Sequence, residues 1–260
     1  MNKIELANKI EQIARNAGKL ILNVEHIEIH EKSDIANIVT NMDVKCQKYI
    51  IEKCKELLRE SCFYAEEEDA QELGEEYTWV IDPIDGTTNY AYDYKHSCIS
   101  IALLYKKQGI IGVVYHPYLD DCYVGIEGIG STCNGKKIQV SENSFEAALV
   151  LFGTSPYQKE LADKTFELAK TFFINCRDVR RSGSAALDMC YVASGKADIY
   201  YELILSPWDF AAGKIIAQNA NACVCPLGYK EFDYSKKMGV LFTNQKCYKQ
   251  ARKLLGEADE

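Results

Sequence analysis

The sequence predicts a mixed α/β fold of the α+β kind, because its two halves carry different patterns. Residues 97–140 hold short apolar strands separated by Gly or Asp-Asp signals, which is typical of an antiparallel meander. After residue 144, strand-like and helix-like segments alternate, which favours helices packed on a sheet. We therefore expect an N-terminal α+β half over 1–143 and a C-terminal α/β half over 144–260, in one compact unit with a cleft between the halves.

Two helices are predicted at the start of the N-terminal half. Apolar residues recur at three- and four-residue steps from Ile4 to Val24, as in an amphipathic helix. Thr40 and Asp43 offer helix-start chemistry for a second helix that reaches about Arg59. The predicted strands of this half are 61–65, 77–81 with its end at Asp82, 98–105, 109–117, 121–128 and 136–140.

The C-terminal half alternates between short, continuous apolar runs and longer segments with helical periodicity. The short runs are typical of buried strands, and the longer segments of helices. The predicted strands are 148–155, 197–203, an alternating run around Cys223 and Cys225, and 239–244. The predicted helices are 159–173, 184–195, 208–221 and the last residues of the chain.

Composition limits the classes of function. The 260-residue chain has a formal net charge of −8, so we expect no nucleic-acid partner. Its eleven cysteines are odd in number and irregularly spaced, which predicts reduced thiols in a cytoplasmic protein. The N-terminal segment has no uninterrupted apolar core, so we expect neither a signal peptide nor a membrane span.

Two aspartates three residues apart, in the segment WVIDPIDGTTNY, are the first candidates for chemistry. Asp82 and Asp85 follow a strand, where α/β folds place functional groups. Carboxylates this close repel each other unless a cation lies between them, and oxygen ligands suit Mg²⁺. The N–H groups of Gly86 and Thr87 would form a small anion nest for phosphate. The alternative is a plain turn, because Asp-Pro and Asp-Gly are common turn formers.

Two further segments favour the metal site over the turn. The acidic run AEEEDA follows a strand next to the Asp82 strand, which would bring Glu66 or Glu67 beside Asp82. In SPWDFAAGK, Asp209 begins a helix, and the small residues after it allow close packing on a sheet. Each segment alone also fits a structural role, as a solvated loop or a helix cap.

These three segments, in this order and spacing, resemble the signature segments of the inositol monophosphatase family, and the resemblance covers nearly the whole chain. It implies a layered α-β-α-β-α sandwich and a Mg²⁺-dependent, lithium-sensitive phosphoric monoester hydrolase with two to three Mg²⁺ ions per active site. It also implies a homodimer that acts on a small phosphate ester, first of all an inositol monophosphate. Related members cleave fructose 1,6-bisphosphate, histidinol phosphate, NADP or adenosine 3′,5′-bisphosphate, so the alcohol stays open.

The resemblance also implies roles for individual residues. The implied metal ligands are Glu66, Asp82, the carbonyl oxygen of Ile84, Asp85 and Asp209, with a third, weaker ion held by Glu66 and water. The implied catalytic residues are Thr87, paired with Asp43 to orient and deprotonate the attacking water, and Glu66. The implied substrate contacts are the N–H groups of Gly86 and Thr87, then Gly183, Ser184, Ala185 and Glu202 around the leaving alcohol, with Lys32 on a mobile loop.

Three departures from the family pattern leave the implied ligands in place. Ala65 stands where the family usually has Gly, and Asn37 where it often has Asp. The extra acid Glu68 leaves the choice between Glu66 and Glu67 open.

Other interpretations remain beside this one. The Asp-x-x-Asp spacing differs from the Asp-x-Asp of haloacid-dehalogenase-type phosphatases, and no Gly-x-Ser-x-Gly indicates a serine hydrolase. His26 and His30 fit surface residues better than a zinc site. Arg180 and Arg181 fit a pair that contacts sugar or phosphate and equally a solvated or interface pair. A metal-binding regulatory scaffold without catalysis is the non-enzymatic alternative.

Overall fold

The computed structural model describes residues 2–24, 26–31, 38–67 and 73–257. The helices of these ranges are α1 (Lys3–Leu22), α2 (Asn41–Leu57), α3 (Thr87–Ala91), α4 (Ala162–Asn175), α5 (Ala185–Ala193), α6 (Pro207–Asn219) and α7 (Tyr248–Leu254). The strands are β1 (Ile29–Glu31), β2 (Ile38–Thr40), β3 (Ser61–Ala65), β4 (Tyr77–Asp85), β5 (Cys98–Tyr105), β6 (Gln108–His116), β7 (Asp121–Ile126), β8 (Gly130–Cys133), β9 (Lys136–Lys137), β10 (Leu149–Phe152), β11 (Asp178–Arg180), β12 (Ile199–Leu205), β13 (Cys223–Leu227) and β14 (Met238–Thr243). The expectations for Lys32, Asn37 and Glu68 concern positions outside the described residues.

Two helices begin at capping boxes whose acidic member is a candidate site residue. At α2, the backbone N–H of Thr40 donates to Asp43 Oδ2 over 2.7 Å, and the Thr40 hydroxyl donates to the same oxygen over 2.6 Å. At α6, the N–H of Ser206 donates to Asp209 Oδ2 over 2.7 Å. Because each bond ties a carboxylate to the first turn of its own helix, the helix start fixes where the acid lies.

The strands form two large sheets and one small hairpin. The seven-stranded sheet has the order β3-β4-β5-β6-β7-β8-β9, and only its β3–β4 pair is parallel. The five-stranded sheet has the order β11-β10-β12-β14-β13. The predicted meander is confirmed, whereas β2, β8 and β11 were not predicted, and only the end of the strand-like run 26–30 lies in β1. Those strands have three or four residues, too few for a periodic pattern to be recognised.

Helices and sheets alternate in five layers, which confirms the predicted α-β-α-β-α sandwich. Along β5, Ile99 and Ile101 pack with α1 and α2, while Ala102 and Leu104 belong to the core shared with α5 and α6. This opposition follows from the two-residue period of a strand. That same core includes one face of the five-stranded sheet, and α4 and α7 cover the other face. The seven-stranded sheet ends before residue 143 and the other begins after it, and a division into two halves there stays a prediction.

Strand β4 positions two of the candidate ligands. It was predicted to end at Asp82, and this was wrong, because the strand continues to Asp85. Asp82 pairs with Ser100 and Asp85 pairs with Cys98. The two aspartates are three residues apart on β4, whereas their partners are two residues apart on β5. Residues three apart in a regular strand point to opposite faces. The extra residue, which makes a bulge, allows both aspartates to face one site.

None of the helices in the described ranges is both long enough and apolar enough to cross a bilayer.

Candidate active site

One cavity of about 770 Å³ collects the candidate residues. It lies where the end of β4, the first turns of α3, α5 and α6, and the strand β12 meet, so both large sheets contribute to its walls. Its volume is within the range of about 300–1,000 Å³ that small-molecule sites occupy.

Three aspartates converge at the base of this cavity. Asp82, Asp85 and Asp209 each place one carboxylate oxygen so that these oxygens all lie within 4.8 Å of one another. Burial, followed by the charges of neighbouring carboxylates, raises the pKa of Asp82 and Asp209 well above the usual range. Burial likewise raises the pKa of Asp85 to about 6. Three such groups are stable together as anions only when a cation balances them.

The hydrogen-bond donors of the protein all bond to one of the two carboxylate oxygens of Asp85. Its Oδ2 accepts hydrogen bonds from the Ser184 hydroxyl, from the N–H of Ala186 over 3.0 Å and from the Cys98 thiol over 3.6 Å. These bonds lower the pKa of Asp85 against the larger effect of burial. Since all three donors use Oδ2, Oδ1 is the oxygen that remains for a cation.

The other two aspartates are held in the same way. Asp82 Oδ1 accepts from the N–H of Ile84 over 3.0 Å, and Asp209 Oδ2 accepts from the N–H of Ser206 over 2.7 Å. One oxygen of each carboxylate is therefore fixed by the protein, and the second is available. Clustered carboxylate oxygens, with a backbone carbonyl beside them, are the donor set that suits Mg²⁺ or another hard divalent cation.

Glu66 and Glu67 occupy different positions in the turn after β3. Glu66 lines the cavity, whereas Glu67 is absent from its walls and its N–H donates to the Gln47 side chain over 3.0 Å. The charge of Glu66 also acts on Asp82, Asp85 and Asp209. Glu66 is outside the group of oxygens within 4.8 Å. This placement favours Glu66 over Glu67 as an additional ligand.

We expect the metal-free protein to become more stable as pH is lowered from 8 to 6.5. Burial raises the pKa of Asp43 to about 7, so the folded state binds a proton there that the unfolded chain, with a carboxyl pKa near 4, does not bind. Stability from a raised pKa is present at low pH and is lost as pH rises through the folded value. Urea unfolding in EDTA at both pH values measures this gain.

Asp43→Asn should flatten this pH dependence of the free energy of unfolding. The exposed Asp163 of α4 provides the control, because Asp163→Asn should leave the difference between pH 8 and 6.5 unchanged. A wild-type protein that is less stable at pH 6.5 than at pH 8 would contradict the expectation.

Thr87 and Asp43 meet beside the aspartates. The Thr87 hydroxyl lies 3.1 Å from the carbonyl oxygen of Ile84 and 3.4 Å from Asp43 Oδ1. Its single proton can serve one of these acceptors at a time. The predicted Thr87–Asp43 proximity is therefore present, as a long contact that competes with a shorter one.

Gly86 allows the loops to approach closely at the start of α3. Its φ is +89°, and a Cβ added there would lie 3.1 Å from the carbonyl oxygens of Gly183 and His96. A side chain would thus meet both an unfavourable backbone conformation and two oxygen atoms. The N–H groups at the start of α3 have no earlier turn to bond to, so they remain as donors near the cavity.

The substrate-side residues line the same cavity. Gly183, Ser184 and Ala185 lead into α5, and the Ser184 hydroxyl is used by Asp85. Glu202 is buried, and its Oε1 accepts from the N–H of Ser155 and its Oε2 from the Tyr200 hydroxyl, each over 2.7 Å. Each carboxylate oxygen has about two acceptor sites, so Glu202 retains capacity for a substrate hydroxyl.

Several cavity residues were missed or left undecided by the sequence, among them Asp188, Lys237 and Arg181. Asp188 lines the cavity and could have been found, because it lies four residues after Ser184 on one helix face. Lys237 lines it too, from a loop without any motif. Arg181 lines the cavity, whereas its neighbour pairs with Asp178 instead.

The histidine pair gives no sign of a metal site. His30 lies 3.9 Å from Glu28, and neither His26 nor His30 belongs to a metal-holding group among the residues that the structure describes.

Comparison with known proteins assigns the family. The model of the inositol monophosphatase family matches residues 3–259. The chain belongs to the inositol monophosphatase family. Its members hydrolyse phosphomonoesters and depend on a divalent metal, so this chain is a phosphatase of that class.

Two relatives and one solved structure illustrate the family's range. The chain is 34% identical over 241 residues to inositol monophosphatase 3 of Solanum lycopersicum, which covers 90% of this chain and 88% of the relative. It is 36% identical over 217 residues to the Nus factor SuhB of Vibrio cholerae, covering 81% of each. The structure of the inositol monophosphatase from Anabaena (Nostoc) superposes with a TM-score of 0.86 at 29% identity, covering 98% of this chain and 97% of that one.

Proposed function

We propose that the protein hydrolyses inositol monophosphate with Mg²⁺, releasing inositol and phosphate. The observation that carries this proposal is the convergence of Asp82, Asp85 and Asp209 in a cavity that Glu202 also lines. The aspartates offer anionic oxygens for cations, and Glu202 offers an acceptor for a hydroxyl of the alcohol. A polyol phosphate provides a phosphate group for the cations and a hydroxyl group for Glu202.

The proposed metal ligands combine the converging carboxylate oxygens with the roles that the family resemblance implies. We assign Glu66, Asp82 and the carbonyl oxygen of Ile84 to one Mg²⁺ and Asp82, Asp85 and Asp209 to a second, with a third, weaker ion near Glu66. When bound, the ions lower the pKa of a coordinated water and neutralise charge on the phosphoryl group and the leaving oxygen.

Thr87 and Asp43 handle the proton of the attacking water. The Thr87 oxygen accepts a hydrogen bond from the water while its hydroxyl donates to Asp43 Oδ1, which lies 3.4 Å away. A base works best when its pKa lies near the working pH, and burial raises the pKa of Asp43 to about 7. Asp43 Oδ2 is held by Thr40, so Oδ1 is the atom that receives the proton.

The loops around the cavity orient the ester. The N–H groups of Gly86 and Thr87, two residues that line the cavity at the start of α3, donate to phosphate oxygens. Gly183, Ser184 and Ala185 line the cavity on the proposed side of the leaving alcohol. These residues supply positioning, which lowers the entropy cost of the in-line attack.

A phosphate-release panel tests this function. With Mg²⁺, we expect the highest kcat/KM for myo-inositol 1-phosphate among that ester, histidinol phosphate, NADP and adenosine 3′,5′-bisphosphate. EDTA should abolish release, and lithium should reduce it because Li⁺ competes for one of the metal positions. A preference for another of these esters of at least about tenfold, equal to about 1.4 kcal/mol, would contradict the inositol assignment.

A regulatory role that does not require catalysis is the second candidate. It is favoured by the similarity to the Vibrio cholerae protein named a Nus factor. Such a role would survive the loss of phosphate release, so a catalytically inactive variant that keeps its fold separates the two functions.

Two further properties stay predictions. The homodimer is inferred from the family alone. The cytoplasmic location is inferred from the eleven cysteines, none of which forms a disulfide in the described part of the chain.

A further inference from the structure

Asn89 is a buried polar residue next to the cavity that has no part in the hydrolysis proposed for Thr87 and the aspartates. It belongs to the segment WVIDPIDGTTNY and lies on α3, two residues after Thr87. Its side chain is 9% exposed, and it does not line the cavity. A buried amide needs hydrogen-bond partners inside the protein, so its partners indicate what it does.

The amide of Asn89 joins three segments of the chain. Its Nδ2 donates to the carbonyl oxygen of His96 over 2.8 Å and to that of Ser182 over 3.0 Å. Carbonyl oxygens only accept hydrogen bonds, so the nitrogen must face them, and both of its N–H donors are used. One side chain therefore holds α3, the segment before β5 and the segment before α5 together.

The segment before α5 in turn holds a metal-ligand candidate. The hydroxyl oxygen of Ser182 accepts from the N–H of Ser184 over 3.3 Å. The Ser184 hydroxyl donates to Asp85 Oδ2. A chain of bonded residues therefore leads from Asn89 through this segment to Asp85.

The two segments that Asn89 joins are packed closely. A Cβ added to Gly183, whose φ is +94°, would lie 2.9 Å from Asn89 Nδ2, and a Cβ added to Gly86 would lie 3.1 Å from the Gly183 carbonyl oxygen. With so little space between them, a shift of one segment against the other would change how the N–H groups of Gly86 and Thr87 lie relative to Asp85.

We propose that Asn89 is a positioning residue for the hydrolysis, which fixes the start of α3 against the segment before α5. The inference rests on the proposed function, in which the N–H groups of Gly86 and Thr87 hold the phosphate while Asp85 holds a cation. Asn89 touches neither the phosphate nor the cation. It sets the distance between the groups that do, and a misplacement of about 1 Å costs on the order of a hundredfold in rate.

Asn89→Leu tests this role, because leucine has the same branching but no hydrogen-bond donor. With saturating Mg²⁺ and myo-inositol 1-phosphate, well below the melting temperature, we expect kcat to fall by at least about tenfold. KM should stay within about threefold, because alignment matters most in the transition state. Mg²⁺ should still raise the melting temperature, since every carboxylate remains.

Asn244→Leu is the matched control for the loss of a buried amide. Asn244 is fully buried after β14, and its Nδ2 donates to Ser141 Oγ over 2.9 Å and to the carbonyl oxygen of Asn143 over 3.1 Å. It does not line the cavity. Both leucine variants should have lower melting temperatures, because both leave buried polar groups unpaired. Asn244→Leu should nevertheless keep kcat within about twofold of wild type.

Asn89→Asp keeps the shape of the side chain and provides a second test if the leucine variant does not fold. A protonated carboxyl offers one O–H donor to the two carbonyl oxygens, whereas a carboxylate offers none. Because burial raises the pKa of a carboxyl, its kcat relative to wild type at the same pH should rise about threefold or more from pH 8 to 6. Taking this ratio cancels the titration of the enzyme's own groups, and Asn89→Leu should show no such rise.

Three results would overturn the inference while leaving the proposed function in place. They are a kcat of Asn89→Leu within tenfold of wild type, a loss of kcat that comes with loss of the stabilisation by Mg²⁺, and a flat pH ratio for Asn89→Asp. A wild-type protein that releases no phosphate from myo-inositol 1-phosphate with Mg²⁺ would instead refute the proposed function, and no variant is needed to see this.

Discussion

Asp85→Asn is expected to lower kcat by about a thousandfold or more, because loss of metal-based charge stabilisation removes several kcal/mol. Asp85 Oδ2 accepts three protein donors, from Ser184, Ala186 and Cys98. An asparagine would keep these bonds by turning its carbonyl oxygen toward them. Its NH₂ group would then face the cation position, where a donor repels a cation. We expect the same loss for Asp209→Asn.

A stability measurement accompanies this prediction and does not depend on turnover. Without metal, the buried carboxylates repel one another, so we expect Asp85→Asn to raise the melting temperature in EDTA at pH 8. Wild type should gain stability when Mg²⁺ is added, since a ligand that binds only the folded state stabilises it. The variant should lose most of that gain.

Asp188→Asn is the matched control for the aspartate triad. Asp188 is buried and lines the same cavity, and burial raises its pKa well above the usual range. Its oxygens lie outside the group that converges within 4.8 Å. It should retain kcat within about tenfold, since it loses no metal ligand. Near-normal turnover by Asp85→Asn or Asp209→Asn would remove that residue from the ligand set.

Thr87→Val is expected to lower kcat by about 10²–10⁴-fold, the usual contribution of a positioned proton-transfer group. Valine has nearly the same shape but can neither accept from the attacking water nor donate to Asp43. Thr87→Ser keeps the hydroxyl and should retain most of the activity. Thr88→Val is the matched control, because Thr88 is the exposed neighbour on α3 and also lines the cavity.

The pH profile distinguishes this role from a structural one. Because Asp43 must be ionised to take a proton, and burial raises its pKa above the usual carboxyl range, we expect kcat/KM of the wild type to fall toward acidic pH. Asp43→Asn should remove this limb along with most of the activity. Both variants should keep the stabilisation by Mg²⁺. A Thr87→Val protein that loses Mg²⁺ binding together with activity would instead indicate a metal-site defect.

Much of the site was predictable because its residues lie in short, chemically distinctive segments. Asp82, Asp85 and Asp209 converge as expected, and Thr87 lies near Asp43. The types of these residues pointed to cation and phosphate chemistry before their positions were known. Their roles in holding metal and moving protons stay predictions that the experiments above address.

The pairing register of the strands was harder to predict than the chemistry of the site residues. The predicted strand end at Asp82 was wrong because the bulge between Asp82 and Asp85 depends on how β4 pairs with β5. A bulge is a property of two strands, and the sequence of one strand does not reveal it. The same reason explains the missed edge strand β11, which has three residues and is defined only by its pairing with β10.

The sequence by itself determined the element order and the class of chemistry. Helical and strand periods, and the capping box that begins α2, act over a few residues, so they can be read from neighbours along the chain. Clustered acids around Asp-Gly-Thr likewise indicate cations and phosphate wherever the fold places them.

Only the tertiary structure decided which atoms face the cavity. It holds Asp85 Oδ2 with donors from β5 and α5, places Glu66 rather than Glu67 on the wall, and turns Arg181 inward but its neighbour outward. Adjacent residues of the same type have nearly equal local preferences. The partners that distinguish them lie on other elements, as Gln47 of α2 does for Glu67, at a separation of 20 residues. Asp85 is held by Ala186, which is 101 residues away in sequence.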